Sequence, residues 1–202
     1  MEFIIHRVNL IEELKKTPQE YGCEIDIRTD GSKLILNHDP FTKGDYLVDY
    51  LDEYKNGTLV LNIKESGIED VVLKEVRLRN IKSYFLLDVE FPYLYNAIKN
   101  GEKNIAVRFS EEEPIENAIL VQNKLDWVWV DTLNKVPIND ENIEVLNKFK
   151  VCLVCPTRWG RIPDFDNLKE IFKNIKTPMI MTSIEQISNY KKFTFEQDSN
   201  IK

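Results

Sequence analysis

Short β-branched or aromatic runs alternate along this chain with longer stretches whose apolar residues recur every three or four positions. The extended runs are EFIIHR, CEIDIRT followed by KLILNH, TLVLNIK, SYFLLDVE, NIAVRFS, WVWVDTL, KVCLVCPT and PMIMT. Between them the helical period predicts NLIEELKK, YLVDYLDEYK, IEDVVLKEVRLRN, PYLYNAIKN, PIENAILVQNK, NDENIEVLNKFK, FDNLKEIFKNI and SIEQISNYKK. Pro92 and Pro114 suit the first turn of a helix, where a missing N–H costs nothing, and Asn139-Asp140-Glu141 precedes an amphipathic run as a start signal. Strands alternating with helices imply parallel pairing through right-handed crossovers. Eight such units predict an α/β fold of the compact (β/α)8 TIM-barrel type. An open doubly wound sheet is the alternative, weakened because no Gly-rich turn of the dinucleotide-holding kind occurs. No linker or low-complexity segment divides the chain, so residues 1–202 read as one domain, the last eight or so forming a loose tail.

A barrel collects its functional groups at the C-terminal ends of its strands. His6 and Arg7 close the first run; Glu24, Asp26 and Arg28 lie on the second, whose extension ends in His38-Asp39. Asn62 and Lys64, Asp88 and Glu90, Arg108 and Ser110, and Asp131 end the runs that follow. Positions two apart on a strand share a face, so Glu24, Asp26 and Arg28 point together, as do Asn62 and Lys64. Burying that much charge is costly unless it is paired or metal-bound, which predicts retention for function over stability.

Composition narrows the partners. With 43% hydrophobic residues and a formal charge of -7, the chain can bury a sizeable core and is poorly suited to nucleic acid or an anionic membrane surface. No apolar stretch approaches the roughly 18 residues of a membrane span, and the N-terminus lacks a leader pattern. Cys23, Cys152 and Cys155 are odd in number and sit in strand-like runs, which favours a cytoplasmic compartment over a disulfide framework. Cys152 and Cys155 have CxxC spacing, but residues three apart on a strand face opposite sides, so they read as structural. Glu111 to Glu113 read as a solvated helix entry.

The motifs IIHR, EIDIRTDGSKLILNHDP and LNIK, in this order, resemble the glycerophosphodiester phosphodiesterase family and its phosphatidylinositol-specific phospholipase C-like relatives. The pattern is an HR pair, E-x-D, a T-x-D-G turn, an HD pair and E-x-K. The resemblance is strongest over residues 3 to 64 and chiefly architectural beyond. It implies a TIM barrel in which His6 and His38 are general acid and base, a pairing that suits imidazoles titrating near neutrality. It implies phosphate contacts from Arg7 and Lys64, and a divalent cation, Mg²⁺ or Ca²⁺, on Glu24 and Asp26. Arg108 is a further candidate phosphate contact. The third acidic ligand falls on Asn62, an uncharged amide, with Asp88 as the carboxylate that would replace it or else pair with Lys64. Val8-Asn9 stands where the family carries glycine after HR, and the stretch between His6 and E-x-D is short.

Each residue also has an ordinary reading. The histidines can be hydrogen-bonded loop residues, Glu24 and Asp26 an exposed hairpin edge, and Lys64 and Arg108 structural ion pairs. Arg158, Arg161 and Trp159 read as surface groups or as contacts for a substrate's anionic or sugar portion. The sequence thus predicts a metal-dependent hydrolase of a small glycerol- or sugar-phosphodiester. The alternative is a catalytically silent barrel that binds a phosphorylated ligand. No oligomeric state follows.

Overall fold

The computed structural model describes residues 1–198. Eight of its strands are each followed by a helix, in the order the periodicity predicts. They are β1 (Glu2–Ile5), β2 (Gly22–Asp30), β5 (Leu59–Ile63), β6 (Tyr84–Leu87), β7 (Ala106–Phe109), β8 (Trp127–Val130), β9 (Lys150–Val154) and β10 (Pro178–Thr182). Two short strands, β3 (Lys33–Leu36) and β4 (Asp45–Tyr46), extend the second unit. The helices are α1 (Ile11–Lys16), α2 (Leu47–Glu53), α3 (Glu69–Leu78), α4 (Phe91–Lys99), α5 (Glu116–Val121), α6 (Ile143–Leu146), α7 (Phe165–Asn174) and α8 (Ile187–Asp198). Helix α8 reaches further than the expected loose tail allowed, and the remainder of that tail lies outside the described residues.

The chain divides into two compact units. In the first, Ile4–Ala106, β1, β2, β5 and β6 pair in parallel, Ile5 against Cys23, Asp26 against Asn62, and Asn62 against Leu87. Every residue of β5 and β6 is buried, as are the first six of β2, including Glu24 and Asp26. Burial on both faces is what a parallel sheet under helices requires, and it disposes of the exposed-hairpin reading of the two acids. From Asp30 the chain turns at Gly31, whose φ of +62 suits glycine, and β3 returns antiparallel to β2, with Ile27 against Leu36. Gly22 has no room for a side chain: a Cβ there would lie 2.2 Å from the Thr58 carbonyl oxygen and 2.4 Å from Ile4 Cδ1.

In the second unit, Met1–Phe3 with residues from Val107 onward, β8, β9 and β10 pair in parallel. Trp127 and Trp129 are buried in its core, and Cys152 and Cys155 are buried thiols outside any disulfide. Glu111 is not merely solvated: its carboxylate accepts the backbone N–H groups of Asn134 and Lys135, so the acid ties down a loop. Arg161 donates to the Thr132 carbonyl, a structural contact. No described helix is long and apolar enough to cross a membrane.

Candidate active site

Four strand ends of the first unit deliver the charged groups. After β1 the chain turns sharply at Arg7, in the left-handed region at φ 53, so that its N–H donates to Glu24 Oε2 at 2.8 Å and the next amide, Val8 N–H, donates to the Glu24 carbonyl. A non-glycine residue held there costs of order 1 kcal/mol, and its backbone bond to Glu24 offsets this. Asp88, just past β6, is also left-handed, at φ 61. Two of the five left-handed non-glycine residues among those described thus sit at strand ends that carry site side chains.

Glu24 and Asp26 form a buried pair of carboxylates, 1% and 0% exposed. Glu24 Oε1 accepts Asn62 Nδ2 at 2.8 Å, and His6 Nε2 stands 3.9 Å from Glu24 Oε2. Asp26 Oδ2 accepts Asn9 Nδ2 at 3.0 Å, while the Asn9 side-chain oxygen accepts the Asp26 backbone N–H at 2.8 Å. Lys64 Nζ lies 3.3 Å from Asp26 Oδ1 and 3.6 Å from Asp88 Oδ2, and Arg7 Nε is 3.8 Å from Asp26 Oδ2. Burial, together with the Asp26 charge, pushes Glu24 up to about 7, against the pull of the Asn62 and Arg7 hydrogen bonds and of Lys64. Three side-chain atoms of this cluster, Arg7 Nε, Asp26 Oδ1 and Asn62 Oδ1, are buried without a hydrogen-bond partner, Asp26 Oδ1 meeting Lys64 as an ion pair.

His38 arrives by a different route. Asn37 N–H donates to the Asp26 carbonyl, which brings the end of β3's extension back to β2. Arg28 then donates from Nε and Nη2 to the His38 carbonyl, at 3.1 and 2.9 Å, and from Nη1 to the Lys64 carbonyl at 3.4 Å. One guanidinium thereby ties together the backbone of two site residues, and Glu65 holds its outer side at 3.6 Å. The His38 ring is bonded through Nδ1 to Asp39 Oδ1 at 2.8 Å, and this bond holds Asp39 below the usual carboxylate range.

His6, Arg7, Glu24, Asp26, Asn62, Lys64 and Asp88 are therefore linked in one network, with the His38 backbone joined to it through Arg28. Arg108 lies in the other unit, where its guanidinium pairs with buried Asp131. Sequence reasoning passed over the roles of Asn9 and Arg28. The signal for Asn9 was its place beside the missing glycine; Arg28 was in the motif, but its partners are backbone carbonyls that no side-chain pattern reveals.

The expected cation ligands, Glu24, Asp26, Asn62 and Asp88, do not fit a hard dication. Asp88 is drawn to Lys64, Asn62 brings no charge and presents its amide nitrogen to Glu24, and both Glu24 oxygens and Asp26 Oδ2 already accept N–H groups. Among the described residues no group of three or more His, Cys, Asp or Glu side chains is placed to hold a metal ion.

No family model matches the sequence, and no curated protein matches it. Solved structures do. A glycerophosphodiester phosphodiesterase from Agrobacterium tumefaciens is similar with a TM-score of 0.64 at 11% identity, over 91% of this chain and 96% of that one. A glycerophosphoryl diester phosphodiesterase from Parabacteroides distasonis gives 0.59 at 14%, over 94% and 86%. The fold is that of a TIM barrel. The tryptophan synthase alpha subunit of Campylobacter jejuni, at 0.54 and 12% over 91% and 87%, is similar to this barrel as well. At such identities the likeness is one of fold, so the chemistry must be argued from the side chains.

Proposed function

We propose that this barrel hydrolyses a small glycerol- or sugar-phosphodiester with His6 and His38 as its proton carriers. The observation that carries the reading is the convergence of His6, Arg7 and Lys64 on the buried Glu24–Asp26 pair at the strand ends. It is supported by a fold similar to that of glycerophosphodiester phosphodiesterases. Barrels keep their chemistry at that end, and a cluster retained at such desolvation cost is a functional candidate.

The two histidines take different parts. With Nδ1 bonded to Asp39, His38 carries its proton on Nδ1, which leaves Nε2 as a lone pair able to accept one. His38 takes a proton from the attacking water as its oxygen bonds to phosphorus. His6, held beside Glu24, gives a proton to the departing alkoxide oxygen as the old P–O bond breaks. Arg7, whose Nε lacks a hydrogen-bond partner, and Lys64 meet the charge on the non-bridging oxygens.

The test is turnover of a panel of glycerol- and sugar-phosphodiesters. His6→Ala and His38→Ala should each lower kcat about 100- to 10,000-fold. Turnover that survives in both variants overturns the assignment. The neutral Asn62 favours a second reading, a silent barrel that binds a phosphorylated ligand. Tight binding of the panel without turnover would establish that reading instead.

A further inference from the structure

Resting on the phosphodiesterase reading, we infer that the Glu24–Asp26 pair is wired to the chain's own amides and to Lys64 in place of a divalent cation. All four carboxylate oxygens face nitrogen. Glu24 Oε1 accepts Asn62 Nδ2 and Oε2 accepts the Arg7 N–H, both at 2.8 Å. Asp26 Oδ2 accepts Asn9 Nδ2 at 3.0 Å, and Oδ1 faces Lys64 Nζ at 3.3 Å.

Ca²⁺ and Mg²⁺ demand six or more oxygen ligands, most of them charged or water. Two oxygens at this spot accept no hydrogen bond: Asn62 Oδ1, which is neutral, and Asp26 Oδ1, whose charge is already met by the Lys64 ammonium. A dication would have to displace two amides and an ammonium, and then share Asp26 with the guanidinium of Arg7 at 3.8 Å. The two amides come from separate elements, Asn9 from the turn after β1 and Asn62 from β5, yet each ends on a different member of the same pair. They are also two of the positions at which the sequence departs from the phosphodiesterase pattern. The positive charge that a phosphodiester needs is supplied here by Lys64 and Arg7.

The experiment titrates the EDTA-treated full chain with Mg²⁺ and Ca²⁺, followed by calorimetry and thermal denaturation. The wild type should show no saturable heat and no change in Tm at millimolar cation. Asn9→Gly with Asn62→Asp frees Asp26 Oδ2 and adds a third carboxylate, and should gain a cation-dependent rise in Tm of several degrees. Asn62→Asp alone, which is isosteric, should gain a smaller rise and serves if the double variant does not fold. Saturable cation binding by the wild type that Asp26→Asn abolishes would overturn the inference. So would folded variants that take up no cation, because the amides would then not be what stands in its place. None of these measurements uses a substrate. Absence of turnover on the phosphodiester panel would therefore sink the phosphodiesterase reading and leave the cation result standing.

Discussion

Glu24 is a buried carboxyl whose surroundings bring its proton loss into the neutral range. Its carboxyl rises from 4.5 to about 7 on folding, so the folded chain binds that proton more tightly than the unfolded one. The stabilisation is complete below pH 4.5 and is lost as pH rises through about 7. Urea denaturation across that window should show the wild type losing a few kcal/mol relative to Glu24→Gln, which carries no titrating group there; parallel curves would refute the shift. Lys64→Met should cost about 3 kcal/mol in the same assay, because it strips buried Asp26 of its ammonium partner. The identities of His6, Glu24 and Asp26 were legible because charge in a strand pattern is anomalous. Their wiring was not: whether Asn62 offers oxygen or nitrogen depends on which atom faces Glu24, and Asn9 reaches Asp26 only because of the turn at Arg7.

At the scale of elements, the alternation of extended and helical periods was enough to order all eight strand–helix pairs among the described residues. Burial of whole strands made β-branched runs such as Leu59–Ile63 conspicuous. The two-residue strand β4 left no periodic trace. Helix α6 is shorter than its apolar pattern because turn chemistry claims its start. The Asn139 side chain accepts the Glu141 and Asn142 N–H groups, and Asn142 Nδ2 donates to the Pro137 carbonyl. Gly22 is where three strands depend on one missing side chain. Gly22→Ala drives a methyl into the Thr58 carbonyl, a backbone atom that cannot step aside, and should cost about 3 kcal/mol. A variant as stable as the wild type would show that β2 and β5 can part locally.

For the whole molecule, the barrel is a frame shared with unrelated chemistry, as its similarity to both phosphodiesterases and a tryptophan synthase subunit makes plain. Its length and rhythm announced that frame; only the first 64 or so residues carried motifs that narrowed the chemistry. A ligand that binds the folded chain alone should stabilise it by about 2.7 kcal/mol at a hundred times its Kd. Phosphodiesters that raise Tm in the wild type should fail to do so in Arg7→Ala, which removes the guanidinium beside Asp26. Cys23, Cys152 and Cys155 are at most 1% exposed, and burial pushes the Cys23 thiol up to about 12. The folded chain is thus silent to a thiol reagent and becomes reactive only where it opens. Two of the thiols lie in one unit and one in the other, so the order in which they are labelled is a built-in clock that reads the opening of each unit separately.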